Sequence, residues 1–465
     1  MENTLMTVCQ YAGRYLESLP DLPVNATTDL PSLRAGLAHA LPLSGMPAAE
    51  VIAQLIRDSE GGIVHSAGGR FFGWVMGGHV PSALAADWLT SLWDQNAALY
   101  AAGPSAAVAE EVAGGWLKEL LNIPAEASFA FTTGCQMAHF TCLAAARHSL
   151  LRARGWNVEE QGLSGAPPLR VLTSPHLHAS AVRAIRYLGL GTNAIQYLPA
   201  NPQGQLDPDA LRTHLRANEQ PTLVILQAGD VNTGTFDDFE GLTDLAHRHG
   251  AWVHVDGAFG LWAAASATYR PLLKGCEKAD SWATDGHKWL NVPYDAGYAF
   301  VRDPAAHSGA LSIRASYLTH SGDARDQMDW TPEWSRRGRG FATYAAIREL
   351  GRSGIAALVE NCCRLAGRLV AELAALEGVQ IVSPAVINQA LVRFVPVGQA
   401  PSPAETDAFT ERVIARNLEK GTSFFGGTTW NGLRCMRISV SNWQTSPSDI
   451  TRTVETFREI LAEYR

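Results

Sequence analysis

An α/β protein with a mostly parallel, doubly wound sheet and a smaller α+β domain is what this sequence predicts. Three observations carry that expectation. From Ala127 to about residue 302, short apolar runs alternate with amphipathic stretches of helical period, the pattern of strands joined by helical crossovers. Beyond residue 340 the texture changes to a long helical pattern, two strand-like runs and a terminal helix. The composition, 46% hydrophobic and 18% charged over 465 residues, suits a globular core and excludes disorder, collagen or a coiled coil. A chain of this length usually divides into two or three lobes.

Residues 1 to about 60 read as helical pieces interrupted by Pro20, Pro23, Pro31 and Pro42. PSALAADWLTSLWDQNAALY (81–100) and EEVAGGWLKELL (110–121) place apolar residues at helical spacing. The strand-like runs are ASFAF (127–131), LRVLTS (169–174), AIQYLP (194–199), TLVILQA (222–228), WVHVD (252–256) and YAFVR (298–302). Helical stretches at 137–153, 180–189 and 239–250 separate several of them. The pattern over 342–376 predicts one long helix, followed by QALVRFVPV (389–397), MRISVS (436–441) and a terminal helix over 448–465. The expected division is an N-terminal helical, dimerisation segment over 1–88, a large domain over 89–340 and a small α+β domain over 341–465. No internal repeat or low-complexity linker separates them.

The formal charge of −8 makes nucleic acid an unsuitable partner. The basic run Arg336-Arg337-Gly338-Arg339 is too short to alter this and reads as a solvated or ion-paired turn. Seven cysteines without a CxxC pair support neither a disulfide framework nor a zinc ribbon. The first twenty residues lack the apolar core of a signal peptide, and no run reaches the ~18 apolar residues of a membrane span. A reduced, cytoplasmic enzyme is therefore expected.

Four segments carry chemistry. ASFAFTTGCQMAHFTCLAAAR is a strand, a small-residue turn at Gly134 and a helix, an arrangement that offers backbone N–H groups to an anion. AWVHVDGAFG ends a strand on Asp256, at the edge where open α/β sheets bind ligands, although a helix cap or turn residue reads the same way. Of only five lysines, Lys118, Lys274, Lys278 and Lys420 sit in polar surroundings. Lys288 lies between His287 and Trp289, a placement that suits either a Schiff-base lysine or a lysine salt-bridged at a loop. SPHLHASAVRA carries His176 and His178 on one side of an extended segment. Without a third ligand or an HExxH motif no metal is expected, and a ring-stacking or acid–base role suits one histidine better. No GxSxG, GxxxxGK[ST] or GxGxxG motif appears. A phosphate cradle, a carboxylate for a ring nitrogen, an imidazole and a lysine for an aldehyde together match what pyridoxal phosphate requires.

The sequence resembles the group II pyridoxal-phosphate-dependent amino acid decarboxylases, which include the aromatic L-amino acid and glutamate decarboxylases. The resemblance spans roughly four-fifths of the chain, from FFGWVMGGHVPSALAADWL to MRISVSNWQTSPSDI. It is carried most specifically by HVDGAFG, DSWATDGHKWLNVPYDAG and SRRGRGFATY. It implies the aspartate aminotransferase-like fold (fold type I), with a seven-stranded type of sheet, a homodimer and no partner beyond a small amino acid substrate. By the same resemblance Lys288 matches the lysine that forms the internal aldimine, Asp256 the partner of the pyridine nitrogen, and Ala258 the small residue against the ring. His178 matches the histidine stacked on the other face and is a candidate acid. Gly134, Cys135 and Gln136 fall at the phosphate turn, Asp285 and His287 at further phosphate contacts, and Asn232 in the loop beneath the cofactor.

The sequence departs from the family pattern at Cys135 and Gln136, where Gly, Ser or Thr is usual, and at Val231, where a threonine often stands. The stretch THSGDARDQMDW (319–330) has no tyrosine where many relatives have one that protonates the quinonoid carbon; His320 or His178 is the expected substitute. The implied reaction is decarboxylation of an L-amino acid through an external aldimine and a quinonoid. Phe71, Trp74, Trp330 and Phe424 suit an aromatic or large apolar substrate, though each also suits a core. The alternatives are an aldolase on a β-hydroxy amino acid, an aldehyde-forming oxidative decarboxylase or an aminotransferase.

Overall fold

The computed structural model describes residues 2–313, 324–398 and 401–465. Seven strands build the larger sheet: β1 (Ser128–Thr132), β2 (Arg170–Thr173), β3 (Ile195–Tyr197), β4 (Thr222–Gln227), β5 (Trp252–Asp256), β6 (Ser281–Asp285) and β7 (Gly297–Val301). Their order is β1-β7-β6-β5-β4-β2-β3. The pairs β2–β3, β2–β4, β4–β5 and β5–β6 are parallel, and β7 runs antiparallel to both β1 and β6. The mostly parallel sheet expected from the alternating pattern is thus present.

One of its strands was not among the six expected runs. β6 reads SWATD, with all five residues buried. A strand covered on both faces shows no apolar–polar alternation, and here the polar residues inside it belong to the site.

The helix Cys135–Arg152 lies against β1, β5, β6 and β7. Its Ala138, Ala144, Ala145 and Ala146 are buried, so the helix axis approaches the sheet closely. Cys142 Sγ reaches the Trp282 and Phe300 carbonyls at 3.4 and 3.6 Å. A helix buried nearly all round needs no amphipathic stripe.

Four further strands, β8 (Val379–Ser383), β9 (Gln389–Phe394), β10 (Gly426–Trp430) and β11 (Leu433–Ser439), form a smaller sheet in the order β10-β11-β9-β8. The helices Pro403–Lys420 and Pro447–Glu463 both open on capping boxes, at Ser402 with Glu405 and at Ser446 with Asp449. The expected single helix over 342–376 is Gly340–Ala374 and is broken at Gly351, with φ 59° and ψ 178°. That backbone belongs to glycine. A Cβ there would meet nothing within 4 Å, so the requirement is conformational and not one of space.

The chain divides into two compact units. One comprises Gly77–Gly367 and Ser383–Ala390, the other Met1–Met76, Arg368–Val382 and Leu391–Arg465. Within the second unit the first 76 residues are tied to the C-terminal part by main-chain bonds. Val24 N–H donates to Gly421 O at 2.8 Å and Phe72 N–H to Phe424 O at 2.9 Å. Arg70, buried, donates to the carbonyls of Pro20, Leu22 and Thr422. The basic run is ion-paired throughout: Arg336 with Glu110 at 2.8 Å, Arg337 with Asp87 at 2.7 Å and Arg339 with Asp295 at 2.6 Å.

Candidate active site

The carboxyl ends of β5 and β6 bring Asp256 and Asp285 to one edge of the large sheet. Strand β6 runs directly into Gly286–Leu290, a single π-helical turn, a local geometry common at functional sites. Lys288 sits in this turn with its side chain mostly buried, and Nζ lies 3.2 Å from Asp285 Oδ2. Its ammonium also stands 6.0 Å from the centre of the Phe259 ring. Burial pulls the Lys288 pKa down, but the Asp285 and Asp256 carboxylates more than offset this and hold it above the ordinary lysine value. The backbone of the turn is closely packed. A Cβ on Gly77 would lie 1.7 Å from the Lys288 carbonyl oxygen.

Asp256 is buried, and its Oδ1 accepts from Ala258 N–H at 3.2 Å. Its Oδ2 lies 3.5 Å from His139 Nε2. Burial alone would raise its pKa, but His139, His178 and Lys288 outweigh it and hold the carboxyl well below the usual range. These neighbours therefore favour the carboxylate over the carboxylic acid. Asp285 lies across the turn, where its Oδ1 accepts the Cys135 backbone N–H at 2.6 Å. A carboxylate thus caps the N-terminus of Cys135–Arg152, a favourable place for negative charge.

His287 is buried beside it. Its Nδ1 accepts the Ala296 N–H at 3.1 Å, which leaves Nε2–H to face Asp285 Oδ1 at 3.4 Å. The Tyr294 ring stacks on its imidazole at 4.2 Å, and burial lowers the His287 pKa. His178, exposed, begins the helix Ala179–Tyr187, and its Nδ1 accepts from Ser180 N–H and faces Ser180 Oγ. Gln136 Oε1 accepts from Arg183 at 3.3 Å. Asn232 lies in the loop after β4, where its N–H donates to Asp230 Oδ1 at 2.8 Å. Gly134, with φ 148°, precedes the helix. Of the expected aromatics, Phe71, Trp74 and Phe424 cluster with centroids 4.5 to 5.9 Å apart. Trp330 packs instead on His307 and Arg325. His320 lies outside the described residues.

Asp256, Lys288, Ala258, Asp285, His287, Gly134 and Cys135 therefore converge through direct contacts, and His178 is near enough to act on the Asp256 charge. Sequence reasoning missed His139 and His254. The signal was present, since His254 is two residues before Asp256 on one strand and His139 is four after Cys135 on one helix. Cys135 Sγ, His139 Nε2 and an Asp256 oxygen lie within 4.8 Å of one another. Burial raises the Cys135 pKa well above normal and keeps the thiol protonated, which makes it a poor metal ligand.

An amine held in a tight turn, a carboxylate kept ionised beneath it, and a glycine-led helix start on one sheet edge fit a group with an aldehyde, a basic ring nitrogen and an anion. One donor expected for that anion, Cys135 N–H, is already taken by Asp285. An α/β fold with this donor set defines a pyridoxal-phosphate enzyme. Residues 32–395 match the family described as the pyridoxal-dependent decarboxylase conserved domain, and the chain belongs to that family. Pyridoxal 5′-phosphate is accordingly its cofactor and amino acid decarboxylation its reaction class. The chain is 24% identical over 457 residues to an aromatic-L-amino-acid decarboxylase of Bacillus atrophaeus, covering 97% of this chain and 93% of that one. It is 26% identical to an L-2,4-diaminobutyrate decarboxylase of Rhizobium meliloti, over 100% of this chain and 90% of the other. A crystal structure of Oryza sativa TDC with PLP and tryptamine superposes with a TM-score of 0.93 at 22% identity, over 99% and 97% of the two chains.

Proposed function

We propose that this protein decarboxylates an L-amino acid with an aromatic or large apolar side chain to the corresponding amine. The observation that carries the site assignment is the Lys288–Asp285 contact at 3.2 Å, in the same buried cluster as the charged Asp256. The aromatic preference draws support from the Bacillus relative's name.

In this reading pyridoxal phosphate supplies an aldehyde and an electron-accepting ring. Lys288 would hold the aldehyde carbon. Asp256 would hold the ring nitrogen's proton, and Ala258, His178 and Asn232 would contact the ring. Gly134, Cys135, Gln136, Asp285 and His287 would hold the phosphate end. His178 would supply the proton that replaces the lost carboxylate, with His320 as the other candidate. Loss of the carboxylate ahead of the Cα proton follows from how the substrate is oriented and from a dry carboxylate pocket.

The working unit in this reading is a homodimer, with residues 1–88 as the dimerisation segment, 89–340 as the cofactor domain and 341–465 as the small domain. The exposed Leu5, Met6, Leu16, Leu37, Val51 and Leu55 of the N-terminal helices support it. Seven free cysteines suit a reducing, cytoplasmic setting. No helix among the described residues is long and apolar enough to cross a membrane.

The test is mass spectrometry of products from the cofactor-loaded protein incubated with aromatic, acidic, diamino and β-hydroxy L-amino acids. An amine lighter than its parent by CO₂, formed fastest from an aromatic member, is expected. Glycine with an aldehyde, an aldehyde with ammonia, or a keto acid would replace decarboxylation with another reaction of the same site.

A further inference from the structure

Behind Asp256 lies a run of buried polar side chains that the roles above leave unused. Trp252 Nε1–H donates to Ser281 Oγ at 2.9 Å, and Ser281 Oγ lies 2.9 Å from His254 Nδ1. His254 Nε2 lies 2.9 Å from His139 Nδ1, and His139 Nε2 lies 3.5 Å from Asp256 Oδ2. Both imidazoles and Ser281 are fully buried. The local cause is simple. His254 and Asp256 share one face of β5, Ser281 is the register partner of His254 on β6, and His139 comes from the helix that covers that face.

The donor inventory fixes the direction of this run. An indole N–H only donates and an ionised carboxylate only accepts. With every hydrogen pointing towards Asp256, Ser281 donates to His254 Nδ1, His254 Nε2–H to His139 Nδ1, and His139 Nε2–H to the carboxylate. Each ring is then neutral and each link holds one hydrogen. The reverse order would start from the Cys135 thiol, 3.4 Å from His139 Nε2. It would aim a bare nitrogen lone pair at the Asp256 carboxylate and give Ser281 two N–H donors, leaving its own hydrogen to the Cys142 sulfur, a weak acceptor. The carboxylate decides between them. Burial holds the His254 pKa far below normal, in keeping with a neutral ring.

We propose that Trp252, Ser281, His254 and His139 form a one-way donor chain that orients Asp256 and keeps its carboxylate charged towards the cofactor's ring nitrogen. His139 and His254 are positioning residues that act through Asp256. The last step rests on the assignment of Asp256 to the ring nitrogen, whereas the direction of the chain does not.

Nuclear magnetic resonance of histidine-nitrogen-labelled, cofactor-free protein tests the direction, with peaks assigned from His139→Gln and His254→Gln. Both rings should carry their hydrogen on Nε2, the tautomer that the donor chain requires. An Nδ1–H tautomer or an imidazolium at either position, or stoichiometric tight uptake of zinc by the Cys135–His139–Asp256 group, overturns the proposal. In the holoenzyme, a ring-nitrogen-labelled cofactor should be protonated in the native chain and in His139→Gln, which retains an N–H near the Nε2 position. It should lose that proton in His139→Leu. With it, kcat should fall about 10- to 100-fold, the worth of one hydrogen bond to a charged group, while KM stays within about twofold because ground-state binding is untouched. A His139→Leu holoenzyme identical to the native one overturns the positioning role. An unprotonated ring nitrogen in the native holoenzyme, with the tautomers as expected, overturns the assignment of Asp256 and leaves the donor chain in place. Should His139→Leu not fold, the tautomers of the unaltered chain still decide.

Discussion

The Cys135 backbone N–H donates to Asp285 Oδ1 at 2.6 Å, joining residues 150 apart in sequence. Through its other oxygen the same carboxylate meets Lys288 Nζ at 3.2 Å. One side chain therefore fixes the start of the Cys135–Arg152 helix and the charge of Lys288 together. Replacing it by asparagine retains much of the shape but removes the charge. Asp285→Asn should lower the Lys288 pKa, because Asp285 is the largest influence raising it. It should also cost about 1 kcal/mol of stability through the lost charge at the helix start. The pH dependence of lysine modification in cofactor-free protein reads the first effect and urea unfolding the second; an unmoved lysine titration would contradict the assignment.

Lys288→Ala should abolish the borohydride-reducible bond between cofactor and chain and lower turnover at least about a thousandfold. Absorbance before and after reduction checks the first and product formation the second. A reducible bond that survives would move the assignment to another of the five lysines.

Gly77→Ala places a methyl 1.7 Å from the Lys288 carbonyl oxygen, so backbone must shift. Overpacking of this kind costs about 1–3 kcal/mol. Since the displaced residue is the lysine itself, cofactor retention should fall along with the melting temperature. Retention measured by gel filtration, with melting followed by circular dichroism, separates a local from a global effect.

His307 is fully buried between Ser128 Oγ at 2.8 Å and the Trp330 carbonyl at 2.9 Å. Burial, helped by Arg325, holds its pKa down at about 3. An unfolded chain takes up a proton there as pH falls through about 6.5, while the folded chain does not until about 3. Its contribution to stability is therefore complete above about 6.5 and is lost as pH falls, by about 1.4 kcal/mol per unit. Between pH 7 and pH 5 the native protein should lose roughly 2 kcal/mol more than His307→Gln does. Parallel denaturant titrations at the two pH values decide it.

Glu110 and Arg336 pair at 2.8 Å with 0% and 1% side-chain exposure. Removing one partner leaves a buried charge, so Glu110→Gln should destabilise by about 3–5 kcal/mol. A double change of Glu110 and Arg336 to apolar residues of similar volume should recover much of that loss, and a failure to recover would point to contacts beyond the pair.

Much of this architecture is legible from residue order. The runs that became β1–β5 and β7 are apolar and bounded by turns; Asp256 stands out because it closes such a run, and Lys288 because it lies between a histidine and a tryptophan ahead of one. β6 was not legible because SWATD is polar and short, and its burial comes from neighbours distant in sequence. Strand β10 was hidden similarly, GGTTW having little apolar content, whereas β8, VQIVS, was missed although it carries three apolar residues. The break at Gly351 was visible as a glycine, but nothing local distinguishes it from Gly354 or Gly367 in the same pattern. His139 and His254 become meaningful only once helix and sheet are packed, since their partners are 115 residues apart.

The joining of the first 76 residues to the C-terminal strands and helices has a consequence for synthesis. Val24 and Phe72 cannot make their bonds until Gly421 and Phe424 have left the ribosome. At about 5–20 residues per second, translation of the intervening stretch leaves the N-terminal helices without their fold partner for about 20 to 80 s. Their exposed leucines are then binding sites for chaperones. Slowing elongation late in the message should raise aggregation of this protein more than slowing it early.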